Sequence, residues 1–123
     1  MFEEKTFDEL NTIAEKLVFN NLWDDTAIDI NKRIIGKRSK NHAAYTRLAK
    51  CLLVKGDRQG AYNLYKKVLE FDPNNTISWN YVKFEEFSVR REEKRRENNE
   101  RIAKELDERR KEYELIRRII SEF

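Results

Sequence analysis

A chain of 123 residues with a net charge of +3 has room for one domain, or one domain with an appendage. Charged residues make up 40% of it and hydrophobic ones 39%, so its core is thin, yet 11% aromatics argue against a disordered chain. No apolar run approaches a membrane span, a lone cysteine rules out an internal disulfide, and one Cys with one His cannot build a zinc site.

The opening, MFEEKTFDEL, is acidic and lacks an apolar signal core, so a cytoplasmic protein is expected. Thr6 followed by Glu9 predicts a capping box at the start of a first helix. Phe7 or Phe2 is expected to cover an exposed end of the core. Ala14 and Val18 then share one helical face, and Ala27 with Ile34-Ile35 belongs to a second helix. Between them Asn20-Asn21-Leu22-Trp23-Asp24-Asp25 reads as a turn.

Residues 42–75 read HAAYTRLAKCLLVKGDRQGAYNLYKKVLEFDPNN. Tyr45, Leu48, Ala49 and Leu52 recur at three and four residues, which predicts one buried helical face. Asn41 is placed to cap that helix, and Gly56-Asp57 to end it with a left-handed glycine. The apolar period resumes through Ala61, Leu64, Tyr65, Val68 and Leu69. Small Ala49 and Ala61 let the two helices approach closely. Asp72-Pro73-Asn74-Asn75 then turns the chain, since proline lacks an amide hydrogen and fixes its own backbone angle. Cys51, beside Leu52, is expected to be buried packing.

This 34-residue stretch resembles a tetratricopeptide repeat in Tyr45, Leu48, Ala49, Leu52, Gly56, Ala61, Tyr65, Leu69 and Pro73. One period back, residues 8–41 resemble a degenerate first repeat. Ala27 takes the slot of Ala61, Ala14 and Val18 those of Leu48 and Leu52, and Ile34-Ile35 those of Val68-Leu69. One period on, Trp79 takes the slot of Tyr45 and Val82 that of Leu48, a partial repeat over 76–88. The segment SWNYVKFEEF is also similar to the opening helix of half-a-tetratricopeptide repeats. The resemblance implies an all-α fold, a short right-handed α-α superhelix over residues 1–88.

Residues 89–123 are expected to form a charged C-terminal helix. Ile102, Leu106, Tyr113, Ile116, Ile120 and Phe123 follow a heptad spacing that Arg109 interrupts. The run RREEKRRENNER at 90–101 holds no apolar residue. One helix from about 76 to 121 is expected. A hinge at Asn98-Asn99 is the alternative, and it would let the helix fold back on the repeats. The apolar seam needs a partner, and a second copy of the chain, as a homodimer, is expected to supply it.

Charge is unevenly placed. Residues 1–31 carry eight acids against two bases, and residues 32–67 eleven bases against Asp57 alone. A field of that kind favours an acidic partner. The densest basic patch is Lys32, Arg33, Lys37, Arg38 and Lys40.

In the resembled family the first helix of each repeat lines a concave groove. Carried over residue by residue, Thr12, Lys16 and Phe19 line it from the first repeat, with Ile13 and Asn20. Arg47, Lys50 and Val54 follow from the second, with Thr46 and Leu53. Asn80, Tyr81, Phe84 and Phe87 follow from the third helix, with Ile77. Some members clamp a peptide's terminal carboxylate with a Lys/Asn/Arg set. The matching slots here hold Thr12, Lys16, Arg47, Ile77 and Tyr81 and depart from it.

The expected function is therefore a non-enzymatic protein–protein interaction module, an adaptor binding an acidic or amphipathic segment. A nucleic-acid-binding accessory protein using 32–67, and a structural subunit assembling through its C-terminal helix, are the alternatives. No catalytic residue, metal, cofactor or membrane association is expected. His42, the one histidine, sits at a helix start and reads as a surface residue.

Overall fold

The computed structural model describes residues 5–123. Among them are five helices and no strand: α1 (Phe7–Phe19), α2 (Asp25–Lys37), α3 (His42–Lys55), α4 (Arg58–Phe71) and α5 (Thr76–Ser121). The first four pack as hairpins, α1 with α2 and α3 with α4, and the second hairpin follows on the first through α2 and α3. The chain divides into two units, Met1–Glu85 and Glu86–Phe123.

Helix ends follow from local hydrogen-bond chemistry. Thr6 and Glu9 form the full capping box of α1. Asp24, Asn41 and Asp57 cap the next three helices, accepting from the amides of Ala27, Ala44 and Gly60. Asn75 does the same for α5 through Ser78, 3.0 Å away. Both hairpins turn on a left-handed residue, Asn21 at φ 55° and Gly56 at φ 89°. The next amide then reaches back five residues, Leu22 to the Leu17 carbonyl and Asp57 to that of Leu52, each at 2.8 Å. The first turn differs in length: residues 20–24 stand outside the helices, against 56–57 in the second.

Two apolar clusters form the core. Leu10, Ala14, Ile30, Ile34 and Ala44 make the first, with Phe7 packed on its edge. Phe2 lies outside the described residues. Ala49, Ala61, Tyr65 and Val82 make the second. Leu10, Ile30 and Ile34 have no exposed surface, and each such side chain contributes about 1.5–3 kcal/mol of transfer free energy. Cys51 is buried, and that burial, with the negative charge of Asp24, pushes its thiol above the usual range.

Two residues expected in core slots are not core. Val18 is 39% exposed at the end of α1, and Trp79 is 50% exposed. Tyr45, one period before Trp79, is covered because its ring meets Phe71 at 5.4 Å and its hydroxyl donates to the Ser39 carbonyl at 3.0 Å. The loop before α3 supplies that carbonyl, whereas the Trp79 ring has the Lys83 Nζ 5.8 Å from its centroid.

α5 is a single helix without a break at Asn98-Asn99, so the hinge does not form. Asn98 is held in helical register by Arg101, which donates to its side-chain oxygen at 2.6 Å. Glu92–Arg95, Arg101–Glu105, Asp107–Arg110 and Asp107–Lys111 pair one turn apart along the solvated faces.

Candidate interaction surface

Several expected groove residues lie open on the first unit. Phe19 at the end of α1 is 89% exposed, and Lys16 a turn before it is exposed. Lys50 and Val54 are exposed on α3, as are Asn80 and Phe84 on α5. Thr12 is exposed too, but its hydroxyl donates to the Asp8 carbonyl of its own helix at 2.9 Å. Phe87 belongs to the second unit, where the Arg91 guanidinium stands 5.8 Å from its ring.

Arg47 is different. It is half-buried and already coordinated. Its Nε donates to Asn31 Oδ1 at 2.9 Å and its Nη2 to Asn11 Oδ1 at 3.2 Å. Asn31, itself 2% exposed, donates to the Ala27 carbonyl at 2.8 Å, and Asn11 donates to Glu15 at 3.0 Å. The network ties α1, α2 and α3 together. Burial pulls the Arg47 guanidinium below its usual range, and Glu15 pushes it back.

One period on, the equivalent positions are Tyr65 and Tyr81. Their ring centroids lie 4.5 Å apart with the planes tilted by 34°, and the Tyr81 hydroxyl donates to Glu85 at 3.2 Å. An aromatic pair between α4 and α5 thus stands where an Asn–Arg pair joins α2 and α3. Asn31 has no place in the sequence-based site. Its signal was present, as a polar residue in a tyrosine slot with an arginine in the tyrosine slot that faces it.

The longer first turn builds a cleft of about 640 Å³. Leu22, Trp23 and Val54 give it apolar walls, and Asp24, Asp25, Lys50 and Lys55 line it with charge. Trp23 is oriented by its ring nitrogen, which donates to Asn21 Oδ1 at 2.8 Å, and Lys50 Nζ lies 5.8 Å from its ring. Lys55 pairs with Asp25. The structure therefore joins two expected groove residues, Lys50 and Val54, to a tryptophan that periodicity left in a loop. A smaller cleft of about 280 Å³ lies at Pro73, Asn74, Thr76 and Trp79.

The charge asymmetry is partly closed by the fold. Arg33 pairs with Asp29 at 2.9 Å, and Arg58 with Glu85 at 2.7 Å, a bond that raises the guanidinium's proton affinity. The Arg38 guanidinium lies 4.3 Å from the Phe7 ring centroid. Of the basic patch, Lys32, Lys37 and Lys40 stand exposed beside those two engaged arginines. His42 Nδ1 lies 3.7 Å from Asp72 at the surface.

Among the described residues no three His, Cys, Asp or Glu side chains gather as a metal-binding group. Among them, too, no helix is long and apolar enough to cross a membrane. No protein-family model matches this chain, and no curated protein matches it.

Proposed function

We propose that this chain is a non-enzymatic protein-interaction module of the tetratricopeptide type. Its first unit takes an acidic or amphipathic segment of a partner along α1, α3 and the start of α5. The observation that carries this reading is the pairing of bare apolar groups with lysines on successive first helices. Phe19 stands a turn from Lys16, and Val54 a turn from Lys50. Ile77 and Phe84 continue the series on α5 at 64% and 63% exposure. Large apolar groups left in water favour a cover, and lysines beside them favour one that carries negative charge. Nucleic acid is the poorer fit, because Arg33 and Arg38 of the basic patch already have partners within the fold.

The test is a pull-down with the intact chain, mass-spectrometric identification, and titration of the purified partner. Lys16→Glu with Lys50→Glu is the charge reversal to use, since both side chains are exposed, whereas Arg47→Glu would break the buried network. Phe19→Ser with Val54→Ser removes the apolar part. Both variants are expected to weaken the partner at least about tenfold, the lysine pair more at low salt. A partner that binds both variants as it binds the parent chain refutes the reading.

A further inference from the structure

The second unit presents one coherent apolar pattern that is exposed among the described residues. Ile102, Leu106, Ile116 and Ile120 are 43–66% exposed, and Tyr113 is 62% exposed. In heptad terms Asn99, Leu106, Tyr113 and Ile120 fall at a, and Ile102, Arg109 and Ile116 at d. Phe123 continues the spacing just past the last helical residue. On the same count the g positions beside this seam hold Glu105, Glu112 and Ile119, and the e positions hold Ala103, Arg110 and Arg117.

We propose that residues 99–120 pair with a second copy of this chain as a parallel, in-register, two-stranded coiled coil. Charge complementarity selects both partner and direction. In a parallel pair each g residue meets the e residue five positions on in the other strand. Glu105 then meets Arg110 of the second copy, and Glu112 meets Arg117, each pair occurring twice. An antiparallel pair would set Glu against Glu and Arg against Arg. Glu105 and Arg110 pair with exposed residues one turn away within their own helix, Arg101 and Asp107, and such pairs exchange at little cost.

Asn99 specifies the register. A lone asparagine at an a position matches its own copy across a parallel dimer and penalises slipped or reversed alignments. The seam also has a definite start. One heptad earlier the a and d positions are Glu92 and Arg95, and the g–e pair would be Arg91 with Arg96. Charge in the core and like charge across it stop the pairing there. Arg109 limits the strength of the coil and favours two strands, since a two-stranded seam leaves its long stem a route to water that a wider bundle closes.

Sedimentation equilibrium of the intact chain over a concentration series is the first measurement. A mass rising toward twice the 14.9 kDa chain mass is expected. A mass that stays at one chain, or climbs to three or four, overturns the proposal. Glu105→Arg with Glu112→Arg should weaken self-association at least about tenfold while helicity is retained. Mixing that variant with Arg110→Glu/Arg117→Glu should restore a mixed dimer. A dimer indifferent to the charge reversal places the interface elsewhere. Asn99→Cys reads direction: oxidation should link it to itself as a covalent dimer, with the parent chain and its buried Cys51 as control. A dimer that Asn99→Cys cannot cross-link is not parallel.

Discussion

Replacing Asn31 tests whether the fold depends on the polar network that stands in for an aromatic pair. Asn31→Ala deletes the acceptor of a bond from a half-buried guanidinium, worth about 1.5 kcal/mol at the low end for charged donors. It also deletes the donor to the Ala27 carbonyl, worth about 0.5–1 kcal/mol because that carbonyl keeps its helical partner. The expected loss is about 2–2.5 kcal/mol, which lowers the urea midpoint of the intact chain by roughly 1–2 M. Arg47→Met leaves two asparagine oxygens without their donor and should cost about 1–2 kcal/mol. The fold offers its own rescue, because Tyr65 and Tyr81 occupy the same two positions one period later. Asn31→Tyr with Arg47→Tyr should therefore cost less than the sum of its single substitutions by at least about 1 kcal/mol. If Asn31→Ala costs under about 0.5 kcal/mol, or the two tyrosines are merely additive, the network does not hold the helices as described.

Two glycines should respond in opposite ways to alanine, as urea midpoints will show. A Cβ at Gly36 on α2 meets nothing within 4 Å, so Gly36→Ala should stabilise by about 0.5–1 kcal/mol. A Cβ at Gly60 would meet Asp57 Oδ2 at 2.3 Å and displace the cap of α4, so Gly60→Ala should yield no gain until Asp57→Ala has removed that cap. Tyr45→Phe should cost about 1 kcal/mol, measured the same way, through the lost bond to the Ser39 carbonyl. Burial raises the Cys51 thiol above its ordinary 9.0, and burial first, then the bond to Glu85, raises Tyr81 above 10.0, as burial does for Tyr65. These groups ionise more easily unfolded, so stability is fully present below pH 9.0 and falls as pH rises past 9.0 and then 10.0. Tyr65→Phe should flatten the upper part of that decline; a midpoint constant up to about pH 11 would contradict it.

The helices and their ends could be read from the sequence because their causes are local. A capping side chain finds its amide three residues away, as Thr6 and Asn41 do, and Gly56 reverses the chain on its own backbone freedom. The same holds for α5, whose continuity through Asn98-Asn99 rests on pairs one turn apart. The heptad seam and its flanking charges are likewise a matter of spacing. Burial was decided elsewhere. Arg47 reads as a surface charge until Asn31 and Asn11, 16 and 36 residues away, are brought to it. Trp23 reads as a loop residue until the longer first turn sets it against Lys50 and Val54. Val18 and Trp79 hold the spacing of core residues, yet they stand partly in water. A periodicity states which face of a helix is apolar. Only the packed chain decides what that face meets, because the covering residues lie tens of positions away and their approach depends on the length of each turn.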